Sequence, residues 1–198
     1  MIVFGITGGS GSGKTSVSKM LEKLGVHIID TDVIAHEIVE PNSDCLNELV
    51  DYFGDSILND DKTLNRKKLA SIAFSDKQKT EALSNITHKY IKAEVVKDIN
   101  TTDAELVGVD GAVIIGSNVE PLCEFIVSVI ADKQIRITRI KTRDNITDKQ
   151  AIQRINAQND DEFYKENSMY IIYNNGDIAQ LESDVVGLFN KIKGNSFE

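Results

Sequence analysis

Cysteine and proline are scarce in this sequence, and long apolar segments are absent. The two cysteines, Cys45 and Cys123, have neither a CxxC arrangement nor the spacing of metal ligands, so we expect two unpaired thiols in a reducing compartment. No apolar run approaches the roughly 20 residues that a membrane-spanning helix needs. The first seven residues contain no Lys or Arg, which disfavours a signal peptide. Together these absences predict a cytoplasmic protein that does not interact with membranes.

Positive charge is also in short supply. The 198 residues include 22 Lys and Arg against 31 Asp and Glu, which gives a net charge of −9. Nonspecific binding to nucleic acids requires the opposite balance, so we expect no nucleic-acid partner, although a local cluster of cations could still bind a small polyanion. With 41% hydrophobic and 27% charged residues, the composition is that of a globular domain large enough to bury a core. We expect a monomer or a small homo-oligomer.

The first thirty residues combine short apolar runs with a glycine-rich loop. Residues 2–6 form an apolar run that predicts a buried strand. Apolar residues then recur at helical spacing between Lys14 and Leu24, and Gly25 can end that helix. A second apolar run follows at residues 26–29. This order of strand, loop, helix and strand is a βαβ unit, which predicts a parallel sheet.

The rest of the chain continues as strands separated by helical segments. Apolar runs at residues 106–110, 125–131 and 169–173 predict three further strands. We therefore expect an α/β fold with a doubly wound, parallel five-stranded sheet, closed by a helix at residues 178–192. The predicted single domain covers residues 1–198, with a core of 1–30, 102–133 and 168–198, an all-helical insertion of 31–101 and a lid of 134–167.

Residues 8–15 match the pattern G-x-x-x-x-G-K-[ST]. Glycines allow the backbone to curl so that several N–H groups surround a phosphate, and the following helix adds its positive N-terminal end. Lys14 would then reach the β- and γ-phosphates of ATP, and the Thr15 hydroxyl would ligate Mg²⁺. The alternative, a turn that only joins strand to helix, would need one or two glycines rather than four followed by Lys-Thr. The loop residues that we expect to bind ATP are Gly11, Ser12, Gly13, Lys14, Thr15 and Ser16.

A phosphate-binding loop alone does not define the reaction. A switch GTPase would also carry Asn-Lys-x-Asp, but the Asn-Lys pair at Asn190 continues as Ile-Lys. A large motor ATPase would need a longer chain. A small kinase fits the length and the helical insertions, which predicts the P-loop NTPase fold of the nucleoside-monophosphate-kinase type.

Two carboxylates follow the second predicted strand, at the edge where open α/β sheets bind ligands. There Asp30 or Asp32 could orient an attacking hydroxyl or accept its proton. The alternative is that Asp30 only caps the next helix.

Arginine is concentrated in one segment, because four of the five arginines lie between residues 136 and 154. Arg136, Arg139 and Arg143 are three and four residues apart, so they share one face of a helix. Guanidinium groups bind phosphate oxygens in two places, and a closing flap that carries them would exclude water during phosphoryl transfer. The alternative is a solvated helix face.

Several segments, spread over most of the chain, resemble the dephospho-CoA kinase family. The phosphate loop and the segment Asp-Thr-Asp-Val-Ile-Ala-His-Glu at residues 30–37 are similar to two of its motifs. Further similar segments lie at residues 64–69, 72–76 and 83–88 of the insertion, at 134–139, 143–144 and 157–158 of the lid, and at 170–176 near the last strand.

The resemblance implies that the chain uses ATP and Mg²⁺ to phosphorylate the ribose 3′-hydroxyl of dephospho-CoA, the last step of coenzyme A synthesis. It implies that Asp32 orients or deprotonates that hydroxyl, while Lys14 and Arg139 neutralise charge on the transferring phosphoryl group. Outside the loop, the residues that it assigns to ATP are Arg139, Arg143 and Asn175. The residues that it assigns to the acceptor are Thr7, Asp32, Arg66, His88 and Asp110.

Part of the acceptor side departs from the usual pattern of that family, which has Asp-x-Pro-Leu-Leu-Phe-Glu after the third strand. Here Asp110 is present, but Ala112 and Gly116 stand in place of the proline and the glutamate. Lys89 and Asn65 stand where the family usually has proline and aspartate. Two alternatives therefore stay open: another small-molecule kinase, such as a nucleoside-monophosphate kinase, and a nucleotide-binding protein with a degraded acceptor site.

Overall fold

The computed structural model describes residues 1–194, in which five strands are interspersed with nine α-helices. The strands are β1 (Ile2–Thr7), β2 (His27–Asp30), β3 (Leu106–Asp110), β4 (Phe125–Ile130) and β5 (Tyr170–Tyr173). The helices are α1 (Lys14–Lys23), α2 (Thr31–Glu37), α3 (Asp44–Phe53), α4 (Arg66–Ala73), α5 (Lys77–Thr101), α6 (Lys133–Asp144), α7 (Asp148–Asn156), α8 (Asp161–Glu166) and α9 (Ile178–Gly194). Each predicted strand is present to within one residue at either end, and the predicted α/β fold is confirmed.

The five strands form one parallel sheet in the order β2-β3-β1-β4-β5. β1 is the central strand, and its Gly5 lies opposite Val109 of β3 and Ile126 of β4. β4 also pairs in parallel with β5. Every residue of β3 and β4 is buried, which explains their continuous apolar runs. Because β1 is central, the loop that follows it leaves from the middle of the carboxyl edge, where parallel α/β sheets bind ligands.

The chain divides into two compact units, and the first contains residues 1–29 and the chain from Thr102 onward. Its core packs sheet residues against helices α1 and α9, and the rings of Phe4 and Phe125 stack with centroids 5.4 Å apart. Burial of such apolar side chains stabilises a fold by about 1.5–3 kcal/mol each. The buried cluster consists of Phe4, Ile6, Val17, Leu21, Val26, Leu106, Phe125, Val127, Val129, Ile172, Leu181, Val185, Leu188 and Ile192.

A smaller apolar cluster joins α6 to α7. Ile137 and Ile140 of α6 cluster with Ala151 and Ile155 of α7. Thr147 caps α7 and takes part in a capping box at its first turn. The two helices therefore form a stable hairpin within the predicted lid.

The second unit, Asp30–Thr101, contains helices α2 to α5. Helix α5 is 25 residues long, in keeping with the absence of glycine and proline from its sequence. Glu48 of α3 forms an ion pair with Lys89 of α5 and accepts a hydrogen bond of 2.7 Å from the Tyr90 hydroxyl. The hydrogen bond from Lys89 lowers the pKa of Glu48. Lys89, one of the departures from the family pattern, thus connects two helices of this unit.

One short stretch of the insertion is not helical. Leu58 and Leu64 form an isolated antiparallel bridge, and Lys62 has a φ of 66° in the turn between them. Asp61 Oδ1 accepts a hydrogen bond of 3.0 Å from the Thr63 N–H within this turn. The prediction of an all-helical insertion is wrong here, because polar side chains satisfy the backbone of the turn locally.

Neither a disulfide nor a membrane-spanning helix occurs within residues 1–194. Cys45 and Cys123 are free thiols, as predicted. Burial raises the pKa of Cys45 to about 11 and that of Cys123 to about 12, so both stay protonated near neutral pH. No helix in this range combines the length and the apolar character needed to cross a lipid bilayer.

Candidate functional site

Residues 8–13 form the loop that joins β1 to α1. Gly11 and Gly13 have φ values of 80° and 97°, in the left-handed region where a residue with a side chain is strained. Gly13 is the N-cap residue that directly precedes α1, and no side chain caps this helix end. The positive end of α1 therefore faces the loop without a side-chain oxygen on it, which is an arrangement that binds phosphate groups.

The loop packs directly against α6 and against the turn after β5. A Cβ atom at Gly9 would overlap the guanidinium group of Arg136, and one at Gly13 would overlap the amide of Asn174. Asn174 is buried and donates a hydrogen bond of 2.7 Å from Nδ2 to the Ser12 carbonyl oxygen. The glycines are therefore required by close packing as well as by the curvature of the loop.

The Ser12 side chain is a buried polar group within the loop. It is 1% exposed, and its Oγ has no hydrogen-bond partner among residues 1–194. A buried hydroxyl without a partner is unfavourable, so such groups are usually paired with a ligand or with water. This is a second indication that the loop is built around a bound polar group.

Three predicted site residues meet at the carboxyl edge of the sheet. Lys14, the first residue of α1, forms an ion pair with Asp110 at the end of β3, and their side chains are 14% and 4% exposed. Thr7, at the end of β1, donates from Oγ1 to the Ala112 carbonyl oxygen at 3.4 Å. β1 and β3 are neighbours in the sheet, which brings Thr7, Lys14 and Asp110 together.

Arg139 of α6 contacts the loop. Its Nη1 donates to the carbonyl oxygens of Gly11 and Ser12 at 3.3 and 3.2 Å, and its Nη2 donates to Asn174 Oδ1 at 3.3 Å. The residue that we expect near the transferring phosphoryl group therefore lies beside the phosphate-binding loop.

Asn175 forms a reciprocal pair with Asp132. Its Nδ2 donates to Asp132 Oδ1 at 2.8 Å, and its Oδ1 accepts from the Asp132 N–H at 2.8 Å. This pair connects the turn after β5 to the start of α6. A role for Asn175 beside the adenine of ATP stays a prediction.

Arg143 contacts a carboxylate next to it in sequence. Its guanidinium lies 2.7 and 2.9 Å from the two oxygens of Asp144, and Arg154 of α7 binds the same carboxylate. The hydrogen bonds from Arg143, and to a smaller extent the contact with Arg154, lower the pKa of Asp144 to about 2. The guanidinium of Arg143 is thus engaged by Asp144 rather than by the loop, and its role in ATP binding stays a prediction.

Arg136 and Gln158 are the neighbours of the loop whose position the sequence did not reveal. Arg136 shares a helix face with Arg139, but it is 4% exposed, and its Nε donates to the Ser10 carbonyl oxygen at 2.9 Å. Gln158 Oε1 accepts from the Ser10 N–H at 2.8 Å. Residue spacing identifies the face of a helix but not how deeply that face is buried, so Arg136 could not be told from a solvated arginine.

A cavity of about 200 Å³ adjoins the same edge of the sheet. Its lining includes Thr7 and Ala112 on one side and Gln158, Phe163 and Tyr164 of the lid on the other. A ligand in this cavity would contact Thr7, at the strand end from which the phosphate loop leaves.

In the second unit, Asp30 and Asp32 have different environments at the start of α2. Asp30 Oδ1 accepts hydrogen bonds from the N–H groups of Asp32 and Val33 at 2.9 and 3.1 Å, so the capping alternative is confirmed for Asp30. Asp32 lies in the first turn of α2 with its side chain exposed to solvent. An exposed carboxylate can receive a substrate hydroxyl.

Arg66 and His88 line one cavity of about 350 Å³ in the second unit. Arg66 begins α4, and its Nη2 lies 2.9 Å from His36 Nδ1 of α2. Most other lining residues are apolar and include Phe74, which is 67% exposed. Two predicted acceptor-binding residues therefore share a cavity with apolar walls, and His36 is an additional neighbour that the sequence did not indicate.

A metal ion at the loop would share its ligands between Thr15 and a bound nucleotide. Within residues 1–194 there is no group of three or more His, Cys, Asp or Glu side chains that could bind a metal. Thr15 lies exposed in the first turn of α1. Mg²⁺ that arrives with ATP takes most of its ligands from phosphate oxygens and water, so a single hydroxyl at this position fits its chemistry.

Comparisons with known proteins identify relatives along the whole chain. A family model described as dephospho-CoA kinase matches residues 2–180. A dephospho-CoA kinase of Lactobacillus johnsonii is 34% identical over 191 residues, which are 95% of this chain and 96% of that protein. A dephospho-CoA kinase structure from Campylobacter jejuni has a TM-score of 0.71 and 27% identity, and the match covers 98% of each chain. A crystal structure of a Thermus thermophilus protein has a TM-score of 0.83 at 24% identity, covers 96% of this chain and 97% of its own, and supports the fold.

Proposed function

The chain belongs to the dephospho-CoA kinase family, and we propose that it transfers the γ-phosphoryl group of ATP to the ribose 3′-hydroxyl of dephospho-CoA, which gives coenzyme A and ADP. The observation that carries this proposal is the glycine loop before α1, with Lys14 and Arg139 beside it. The loop supplies backbone donors and the two side chains supply positive charge, in a protein whose net charge is −9. Such a local cluster suits a triphosphate.

The donor side of the reaction belongs to the first unit. We expect the loop backbone and the start of α1 to bind the β- and γ-phosphates, and Lys14 to exchange Asp110 for a phosphate oxygen. The buried Ser12 Oγ fits a polar group held in the loop. Arg139 would neutralise charge that develops on the transferring group. Mg²⁺ held by the Thr15 hydroxyl would add further neutralisation of the phosphates when it is bound with ATP.

The acceptor side requires a group that aligns the attacking hydroxyl. We assign this role to Asp32, whose exposed carboxylate can accept the hydroxyl proton. The 3′-oxygen then forms a bond to the γ-phosphorus, the bond from that phosphorus to the β–γ bridging oxygen breaks, and ADP leaves with the electron pair. Arg66 and His88 would hold dephospho-CoA at their shared cavity, and Thr7 and Asp110 would complete the acceptor contacts.

The loop after β3 supports a second candidate function. Gly116 replaces the glutamate usual in the family, has a φ of 79°, and donates its N–H to Glu120 Oε2 at 2.6 Å. The turn is thus closed by a carboxylate that lies four residues later. A glycine at this position, in place of the glutamate, is compatible with another small-molecule acceptor, such as a nucleoside monophosphate, or with nucleotide binding without transfer.

A panel of acceptors separates these functions. ADP release would be measured with ATP and Mg²⁺ in the presence of dephospho-CoA, of each nucleoside monophosphate, or of no acceptor, and the product would be identified by mass. We expect release that depends on dephospho-CoA and a product with the mass of coenzyme A. Preference for a nucleoside monophosphate would replace the proposal, and ATP binding without acceptor-dependent release would identify a nucleotide-binding protein. The cytoplasmic location and the monomeric or small oligomeric state stay predictions.

A further inference from the structure

Ser10 of the phosphate loop is held on both sides of its backbone by two side chains of the lid. Its N–H donates to Gln158 Oε1 at 2.8 Å, and its carbonyl oxygen accepts from Arg136 Nε at 2.9 Å. We propose that Arg136 and Gln158 are positioning residues that set the shape of the loop for the β- and γ-phosphates of ATP. This inference rests on the phosphotransfer function proposed above.

The two side chains also contact one another. Arg136 Nη2 lies 3.3 Å from Gln158 Oε1, so a single amide oxygen serves both the Ser10 N–H and the guanidinium. The Ser10 backbone, Arg136 and Gln158 therefore form a closed set of three contacts. A planar guanidinium with five donors can serve acceptors in several directions at once, which a lysine ammonium on a flexible chain does less well.

Burial of Arg136 is not explained by its ion pair. Its carboxylate partner is Asp161, which lies 3.4 Å from Nη1 and has a side chain that is 42% exposed. A buried charge is unfavourable unless it is well paired, and an apolar residue of similar size often stabilises a protein equally well. The shortest contact of Arg136 is with the Ser10 carbonyl oxygen, which indicates that positioning of the loop is the reason for its burial.

Arg136 also lies against the loop residues on either side of Ser10, which are Gly9 and Gly11. A Cβ atom at Gly9 would overlap its guanidinium group, and one at Gly11 would lie 2.8 Å from its carbonyl oxygen and 3.0 Å from its Cα atom. Gly9 and Gly11 thus lie directly on Arg136, with no space for a side chain at either position. A change in this support would alter the positions of the N–H groups on which a phosphate depends.

The test compares binding of ATP with binding of AMP, each by titration calorimetry without an acceptor. Gln158→Met keeps the approximate shape of the side chain and removes the acceptor oxygen, whereas Gln158→Glu keeps an oxygen there. We expect Gln158→Met and Arg136→Met to weaken ATP binding about tenfold, from the loss of one or two hydrogen bonds. AMP binding should not change, because AMP has no β- or γ-phosphate. Gln158→Glu should retain most of the ATP affinity.

Arg154→Met is the matched control, because Arg154 pairs with Asp144 rather than with the loop. It should leave the ratio of the AMP and ATP dissociation constants unchanged. Equal losses of ATP and AMP affinity in both Met variants would indicate a smaller folded fraction and would overturn the proposal. Equal ATP affinities in Gln158→Met and Gln158→Glu would also overturn it. If Arg136→Met does not fold, the half-buried Gln158 still provides the test. The titrations contain no acceptor. They therefore test the roles of Arg136 and Gln158 even if the protein does not phosphorylate dephospho-CoA.

Discussion

Asp30 and Asp32 differ in their environments, because Asp30 caps α2 whereas Asp32 lies exposed in the first turn of that helix. We expect Asp32→Asn to lower kcat with dephospho-CoA by about 100-fold or more, since an amide cannot accept the hydroxyl proton. The dissociation constant for ATP should not change. ADP release and calorimetry measure the two quantities.

Asp30→Asn is the matched control, because Asn caps helices about as well as Asp. It should preserve both turnover and stability. A near-normal kcat in Asp32→Asn would remove Asp32 from the mechanism.

The ion pair between Lys14 and Asp110 is largely buried, so a change in it should affect both stability and the ATP binding that we propose. We expect Lys14→Met to weaken ATP binding by about 10- to 100-fold, because a charged donor to phosphate is lost. The free energy of unfolding should fall by about 3 kcal/mol, because the buried Asp110 carboxylate loses its ammonium partner. Urea unfolding and calorimetry measure these effects.

The double variant with Lys14→Met and Asp110→Asn separates the two contributions. Removal of the carboxylate charge should restore most of the stability but none of the ATP affinity. Recovery of ATP affinity together with stability would show that Lys14 acts only through the fold.

At the scale of single elements, the glycine loop and the C-terminus of α1 offer a matched comparison. Gly13 and Gly25 both have a φ of 97°, but a Cβ atom at Gly13 would overlap the Asn174 amide, whereas one at Gly25 would have nothing within 4 Å. Alanine at either position is strained by about 1–2 kcal/mol. We expect Gly13→Ala also to weaken ATP binding by more than about tenfold, because the loop must move. Gly25→Ala should lower the unfolding temperature and leave ATP binding unchanged, and equal ATP affinities in the two variants would contradict this account.

The end of α6 allows a test by pH. Arg143, with a smaller contribution from Arg154, lowers the pKa of Asp144 from 3.8 to about 2. Because the folded-state pKa is depressed, the contact stabilises the fold above pH 3.8 and is lost as the pH falls towards 2. We expect the carboxyl carbon resonance of Asp144 to stay nearly constant from pH 5 to pH 3, and to titrate in that range in Arg143→Gln. An unchanged titration in this variant would assign the low pKa to Arg154 instead.

The elements themselves follow closely from the sequence, but the contacts between them do not. The apolar runs at 106–110 and 125–131 predicted β3 and β4 because both strands are buried on two faces. The contact between Lys14 and Asp110 joins residues 96 positions apart and depends on β3 lying beside β1, an order that residue patterns do not specify. The support of the loop by Arg136 was missed for a similar reason, since helical periodicity carries no information on burial depth.

At the scale of the whole molecule, a net charge of −9 opposes the binding of the two anionic substrates that we propose. Attraction of these substrates must therefore come from local groups of the protein. The proposed assignment places some of these groups in each of the two units. Lys14, Arg136 and Arg139 belong to the first unit, with the phosphate loop. Arg66 and His88 belong to the second, on a cavity of their own. This division implies that each substrate alone should protect a different part of the chain.

Hydrogen–deuterium exchange measures that protection directly, because a bound ligand suppresses local opening. A non-hydrolysable ATP analogue with Mg²⁺ should slow exchange in residues 8–16 and in α6, where the loop and its supports lie. Dephospho-CoA alone should slow exchange in α2, in α4 and in α5 near His88, and at the ends of β1 and β3, where Thr7 and Asp110 lie. Arg66→Met should abolish the effect of dephospho-CoA and preserve that of the ATP analogue, because Arg66 lines the cavity that we propose for the acceptor. If both ligands slow exchange only in the loop, the helical unit does not bind the acceptor. The roles proposed for Arg66 and His88 would then have to be withdrawn.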